Sequence, residues 1–273
     1  MVEMPRCISP ISLPNPKGLG FPRLVVPCGR CLPCLESKRA QWIFRIKQEL
    51  KKSTSAFFVT MTYNDDHNTG DLCKRDIQLF FKKLRKKCKD ENIRYYLIGE
   101  YGPRTFRPHY HCILFNLDPS LLPELLDIWG LGFVSVGKVT PASIAYVCKY
   151  LITKKMELPE GLTPVFAMMS LKPAIGSNYL KTHKNYHKSL NQFYAVVEGG
   201  HRVDLPRYYK DRIFNKFEKE LNNKKNQKLS DKKRNQFEED CYKRGESPFL
   251  YDLEQTEQML HTKISKLSKS NKL

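Results

Sequence analysis

The segment Pro108-His109-Tyr110-His111-Cys112-Ile113-Leu114-Phe115 joins an alternating pair of histidines to a run of apolar residues. Successive side chains of a β-strand point to opposite faces, so both imidazoles lie on one face while the other face packs on the core. Two imidazoles on one face can hold a divalent metal ion. The segment therefore predicts a metal site built on a sheet. The alternative for an isolated His-x-His is a pair of strand histidines that face solvent.

A second motif, Tyr146-Val147-Cys148-Lys149-Tyr150, places two phenols four residues apart on a predicted helix. Residues spaced in this way share a helix face, so Tyr146, Lys149 and Tyr150 can converge on the metal. An arbitrary pair of this spacing usually packs against a sheet. Beside the histidine pair it indicates cleavage of a DNA strand through a phosphotyrosine. Because a tyrosine hydroxyl has a pKa of about 10, it needs a phosphate polarised by a metal.

Glu100 is predicted to be the third metal ligand, because it ends the strand that precedes the histidine strand. Two imidazoles and one carboxylate leave open positions for phosphate oxygens, which suits Mg²⁺ or Mn²⁺. The alternative for Glu100 is an ordinary strand-end carboxylate near Arg104 or Arg107. Those two arginines lie in the loop between the strands and are predicted to contact DNA.

The charge balance indicates a polyanionic partner. The chain of 273 residues has 47 Lys and Arg against 28 Asp and Glu, a formal charge of +19. Nucleic acid is the first expectation. A membrane surface also attracts such charge, but we find no long apolar run and no apolar signal core at the N-terminus, so no membrane association is expected. Nine cysteines, an odd number, favour reduced thiols and a cytoplasmic protein.

The pattern of apolar residues predicts an α+β fold with a mostly antiparallel sheet and helices on one face. The predicted order from residue 56 to residue 153 is β-α-β-β-α-β-α. We expect three segments: a Cys-rich N-terminal segment with a basic helix (1–52), a core (53–185), and a small hairpin with a Lys-rich C-terminal region (186–273). The stretch up to Val26 is expected to be irregular, and residues 215–273 to be charged helix or disorder.

A cluster of cysteines near the N-terminus predicts a structural metal site. Cys28, Cys31 and Cys34 form a Cys-x-x-Cys-x-x-Cys array, and Cys7 can supply a fourth thiolate for zinc. Part of an iron–sulfur pattern and unligated thiols are the alternatives. The predicted nicking chemistry does not need this site.

Taken together, several motifs resemble those of the replication initiation proteins of gokushovirus-like small single-stranded DNA phages (Microviridae), within the HUH endonuclease superfamily. They occur in the order Pro27-Cys28-Gly29-Arg30-Cys31, Phe58-Val59-Thr60-Met61-Thr62-Tyr63, Gly99-Glu100-Tyr101-Gly102, Arg107-Pro108-His109-Tyr110-His111, Tyr146-Val147-Cys148-Lys149-Tyr150 and Leu205-Pro206-Arg207-Tyr208-Tyr209. The family's Pro-Gly-Ile-Gly appears here as Pro173-Ala174-Ile175-Gly176, so Ala174 departs from it.

The resemblance implies an RRM-like HUH core and a rolling-circle initiator that acts in the cytoplasm of an infected bacterium. Such an enzyme nicks single-stranded origin DNA, leaves a 3′-OH for host polymerase, stays on the 5′-phosphate and later joins the strand into a circle. It also implies that His109 and His111 are metal ligands and that Tyr146 and Tyr150 are alternating nucleophiles. Host helicase is a further expected partner. The competing hypotheses are a non-catalytic, zinc-containing nucleic-acid-binding protein and a plasmid- or transposon-type HUH nickase.

Overall fold

The computed structural model describes residues 7–14, 23–88, 92–102, 105–149 and 158–269. At the N-terminal end, β1 (Ile11–Pro14) and β2 (Arg23–Val26) pair antiparallel and lead into α1 (Leu32–Leu50). The expectation of an irregular N-terminal stretch is therefore wrong for these residues, since the two strands satisfy each other's backbone groups. Pro33 lies in the first turn of α1, where a missing N–H costs nothing.

A five-stranded antiparallel sheet forms the centre and confirms the predicted α+β class. Its strands are β3 (Ala56–Tyr63), β4 (Arg94–Tyr101), β5 (Pro108–Phe115), β6 (Gly132–Lys138) and β7 (Phe166–Met169). Their order across the sheet is β6-β3-β5-β4-β7, and every pair is antiparallel. The histidine strand β5 is thus the central strand, which fixes its side chains between two neighbours.

Helices cover both faces of this sheet, so the prediction of helices on one face is wrong. On one face, α2 (Lys74–Lys87) and α3 (Leu125–Trp129) pack against the side chains of Tyr110, Cys112 and Leu114. On the other face, α1 and α4 (Pro141–Lys149) pack against Ile113 and Phe115. The unbroken apolar run at the end of β5 reflects this burial on two sides.

The predicted hairpin after residue 186 is present and belongs to a third hydrophobic cluster. It consists of β8 (Tyr194–Val196) and β9 (Arg202–Asp204), packed with α5 (Asn178–Ser189) and α6 (Arg207–Ile213). Phe44 of α1 is buried in this cluster, whereas Ile46 of the same helix is buried against the sheet. The helix α1 therefore connects the sheet to the hairpin region.

The C-terminal region is helical, which decides between the two expectations for it. α7 (Lys216–Lys243) begins with a capping box formed by Asn215 and Glu218, and α8 (Pro248–Lys269) follows. Among the helices of the described residues, none has the length and apolar content to cross a bilayer.

A buried ion pair ties α1 to the start of β4. Glu49 and Arg94 are 2% and 3% exposed, and both guanidinium nitrogens Nε and Nη2 donate to the carboxylate. The pair also holds the segment that carries Ala174: Arg94 donates to the carbonyl of Pro173 at 2.8 Å, and the N–H of Gly176 donates to Glu49 at 2.6 Å. All four groups are satisfied by one another, as buried charges require.

We predict that Arg94→Ala lowers the free energy of unfolding by about 3–5 kcal/mol, because it leaves the carboxylate of Glu49 buried without its partner. Urea unfolding monitored by circular dichroism measures the change. The matched control is Arg207→Ala, which removes a solvent-exposed ion pair with Asp211 and should cost less than about 1 kcal/mol. Equal stabilities for the two variants would contradict the role of the buried pair.

Candidate active site

The two histidines of β5 lie on the sheet face that α1 and α4 cover. Tyr110, between them, is fully buried on the opposite face, while His109 and His111 are half-buried. Their ring centroids are 6.4 Å apart. The imidazole of His109 lies against Gly102, where a Cβ would be 3.0 Å from its Nε2 atom. The glycine after Tyr101 therefore gives the imidazole room.

Each histidine is oriented by a threonine of the neighbouring strand. In the β3–β5 register, Thr60 is opposite His111 and Thr62 is opposite His109. Their hydroxyl oxygens lie 3.0 and 3.1 Å from the respective Nδ1 atoms. A hydroxyl can donate or accept, so it supports either tautomer of the ring and leaves Nε2 toward the site. Sequence reasoning missed both threonines, although their alternation around Met61 was a usable signal.

Glu100 lies in the site rather than beside the arginines of the loop. It is opposite His109 in the β4–β5 register and is 3% exposed. Its Oε1 atom is 2.9 Å from Nε2 of His111. Its Oε2 atom is buried and has no hydrogen-bond partner among the described residues. A buried carboxylate oxygen in that condition favours a cation or a proton, because leaving it unpaired is costly.

Tyr146 brings its hydroxyl from α4 to this carboxylate. The hydroxyl donates to Oε1 of Glu100 at 2.8 Å and lies 3.5 Å from Nε2 of His111. The ring of Tyr146 meets those of His111 and Phe58 edge-on, at centroid distances of 5.0 and 6.3 Å. Burial, the charge of Glu100 and the hydrogen bond to it all raise the pKa of Tyr146. The phenol is therefore held in its protonated form.

Two cations lie near the tyrosine. Lys149 is 8% exposed, and burial lowers its pKa while the charge of Glu100 opposes that shift. Arg39 of α1, which sequence reasoning missed, donates to the backbone oxygen of Ala145 at 3.4 Å. It also contributes to lowering the pKa of Lys149, so the two cations are close enough to interact. Both are available to a phosphate beside Tyr146.

The remaining predicted site residues are placed as follows. Tyr150 and Arg104 lie outside the described residues. Arg107 forms an ion pair with Asp65 at the end of β3. In the part of the chain that the structure describes, the only three or more ligand atoms within 4.8 Å of one another belong to cysteines. Glu100 and His111 are thus in contact, but the three predicted ligands are not gathered at a single point.

The region that holds this site also matches a known family. Residues 56–156, which start with β3 and include α4, match the family model of the replication-associated protein ORF2. The chain is 30% identical over 211 residues to replication-associated protein VP4 of Bdellovibrio phage phiMH2K, an alignment that covers 68% of this chain and 66% of the relative. The chain belongs to this family of phage replication-associated proteins.

Two other members are similar over comparable spans. Replication-associated protein ORF2 of Spiroplasma virus 4 is 28% identical, with 72% of this chain and 70% of the relative covered. Replication-associated protein ORF4 of Chlamydia phage 1 is 26% identical, with 71% and 54% covered. The chain thus spans between 54% and 70% of the length of these relatives, and no solved structure matches it. The predicted relation to replication proteins of small phages is confirmed.

The cysteine cluster of this family member is assembled. The sulfur atoms of Cys7, Cys28, Cys31 and Cys34 lie within 4.8 Å of one another and can hold a metal ion. Sγ of Cys28 accepts from the backbone N–H groups of Arg30 and Cys31, which lower the pKa of that thiol to about 6. Gly29 supplies the positive φ of 71° that the turn between Cys28 and Cys31 requires.

We predict that Glu100→Gln lowers the pKa of Tyr146. The substitution removes a negative charge and alters the hydrogen bond that stabilises the neutral phenol, so the phenolate becomes easier to form. Burial remains, so the pKa should stay above the ordinary value of about 10. A pH titration by NMR of ¹³C-labelled tyrosine measures it, with Tyr146→Phe to assign the resonance.

The matched control for this titration is Glu160→Gln, which changes an exposed carboxylate elsewhere. It should leave the pKa of Tyr146 as in the wild type. An unchanged titration in the Glu100→Gln protein would rule out the observed contact between the phenol and the carboxylate in solution.

Proposed function

We propose that this chain initiates rolling-circle DNA replication by nicking single-stranded origin DNA through Tyr146. The observation that carries the proposal is the hydrogen bond from the Tyr146 hydroxyl to Glu100, beside His111, in a phage replication-associated protein. A phenol next to a buried carboxylate and an imidazole has a proton acceptor in place. Together these groups suit phosphoryl transfer to a tyrosine.

The first transfer is a simple exchange of phosphate esters. The phenolic oxygen of Tyr146 forms a bond to phosphorus, and the bond from phosphorus to the 3′ oxygen breaks. The phenolic proton moves to the carboxylate of Glu100, and the departing 3′ oxygen takes a proton to become the 3′-OH. Lys149 and Arg39 stabilise the negative charge on the phosphate oxygens. The tyrosyl ester conserves the energy of the broken phosphodiester, so no ATP is needed for joining.

His109, His111 and Glu100 fit a divalent cation, Mg²⁺ or Mn²⁺. The fit rests on the unpaired Oε2 atom of Glu100 and on the threonine hydroxyls at both Nδ1 atoms, which leave the Nε2 atoms as ligands. When bound, such an ion withdraws charge from a phosphate oxygen and so favours attack at phosphorus. In its absence the negative charge of Glu100 keeps Tyr146 a poor nucleophile.

Tyr150 is proposed to be the second nucleophile. While Tyr146 holds the 5′ end, Tyr150 cuts the regenerated origin, and the new 3′-OH attacks the first phosphotyrosine to close the circle. Arg104 and Arg107 are proposed to contact the phosphates of the bound strand. Host polymerase extends the first 3′-OH, and the Lys-rich C-terminal region is proposed to recruit host helicase in the cytoplasm of the infected bacterium.

Zinc is the metal that the cysteine cluster suits best. Four thiolates around tetrahedral Zn²⁺ lie about 2.3 Å from the ion, which corresponds to sulfur atoms about 3.8 Å apart. The Sγ atoms of Cys7 and Cys31 are 3.7 Å apart. This site would fasten Cys7 to the beginning of α1, whose middle carries Arg39. We assign it a structural role.

The covalent intermediate is the direct test of the nicking mechanism. Wild-type protein, incubated with Mn²⁺ and single-stranded origin DNA labelled downstream of the nick, should give a band that survives denaturing electrophoresis. His109→Ala and His111→Ala should reduce that band to background and leave DNA binding largely intact, because binding comes from distributed Lys and Arg contacts. A wild-type cleavage rate in the double His variant would refute the metal site.

The tyrosine variants serve as matched controls in this assay. Phe at one position should permit a single cleavage by the other tyrosine and block release of circles, and Phe at both should abolish the adduct. Peptide mapping of the adduct outside residues 146–150, or repeated circle release by Tyr150→Phe, would overturn the paired-nucleophile mechanism. DNA binding without any wild-type adduct would favour the non-catalytic alternative.

For the cysteine cluster, we expect about one tightly bound zinc per chain in protein purified without oxygen, measured by elemental analysis. Cys31→Ser should release the metal and lower the thermal unfolding temperature. Cys73→Ser, outside the cluster, is the control and should retain the metal. Protein that contains neither zinc nor iron would eliminate the metal site, and iron with visible absorption would replace zinc by an iron–sulfur centre.

A further inference from the structure

An exposed aromatic ring lies in line with the proposed catalytic residues. Phe133 of β6 is 65% exposed. It is paired with Thr62, which is paired with His109, which is paired with Glu100. Residues directly opposite each other in an antiparallel sheet share a face. Phe133 is therefore on the histidine face, and at about 4.8 Å per strand its backbone is two strands, or about 10 Å, from that of His109.

The position of this ring is fixed by its backbone. The preceding residue, Gly132, has φ of 150°, and a Cβ there would lie 2.2 Å from the backbone nitrogen of Asn64. Only glycine permits so close an approach. The N–H of Asn64 donates to the carbonyl of Leu131 at 3.0 Å, which holds β6 to the end of β3. The ring thus stands on a rigid edge of the sheet.

The surroundings of Phe133 suit a flat, single ligand. Along β6, the next residues on the same face are Ser135 and Gly137, which are small and exposed. A protein interface requires a buried centre with several anchoring side chains, and this face of β6 offers one ring. A single aromatic face beside a phosphate-binding site is the arrangement on which an unpaired base stacks.

We propose that Phe133 is a stacking platform for an unpaired base of the DNA strand, next to the phosphate that Tyr146 attacks. The identity of the strand rests on the proposed function. Arg107 approaches the end of β3 from the β5 side, and Phe133 from the β6 side. The arginine is placed for the backbone and the ring for a base, and the net charge of +19 draws the strand to both. The platform holds the scissile phosphate in register with His109 and Glu100.

Binding of fluorescein-labelled oligo(dT), measured by anisotropy without added Mg²⁺ or Mn²⁺, tests the platform independently of cleavage. Phe133→Ala should weaken binding about five- to 100-fold, whereas Phe133→Trp should keep it and show quenching of the added indole emission. The slope of affinity against salt should not change, because no phosphate contact is lost. Phe217→Ala, which removes a similarly exposed ring on α7, is the matched control and should bind as the wild type does.

An abasic oligomer of equal length separates stacking from other effects. Wild type and Phe133→Ala should bind it equally, because it has no base to stack. The proposal is overturned if Phe133→Ala binds oligo(dT) like the wild type, loses the same factor with the abasic oligomer, or changes the oligomeric state instead. Loss of oligo(dT) binding in a protein whose wild type forms no adduct would retain the platform and remove the nicking function. An adduct with unchanged binding in Phe133→Ala would do the reverse.

Discussion

The ion pair of Glu49 and Arg94 determines where α1 lies on the sheet, and much of the molecule follows from that position. Both charges are buried, so each needs the other and the backbone groups of the 173–176 segment. With α1 fixed in this way, its first turn reaches the cysteine cluster and its middle brings Arg39 to the backbone beside Tyr146. The nucleophile helix is therefore positioned by a contact that lies outside the reaction site.

Short-range patterns predicted the strand that carries His109 and His111 and the helix that carries Tyr146, because alternation and helical spacing are local properties. Thr60, Thr62 and Arg39 could not be assigned in that way, since their roles depend on the register between strands and on the docking of a helix distant in sequence. The placement of helices on one face was wrong for another reason. The apolar run Ile113-Leu114-Phe115 indicates burial on both sides, and that signal went unused.

The hydrogen bond between Tyr146 and Glu100 links two requirements of the proposed chemistry. The carboxylate that would accept the phenolic proton is the one that would help to bind the cation, through its other oxygen. As long as the carboxylate's charge is not offset, it raises the pKa of the phenol. Nucleophile activation and metal binding are therefore coupled through one side chain, so that a free protein holds a protonated, unreactive tyrosine.

The strand β6 is an edge of the sheet, with backbone groups on one side that no other strand of the described chain uses. It exposes Phe133 on one face and Val136 on the other, a combination that in a neutral protein promotes pairing between copies. The net charge of +19 opposes this, because it makes copies repel one another. Ions that screen charge weaken this repulsion, so colloidal stability depends on ionic strength even where the folding of each chain does not.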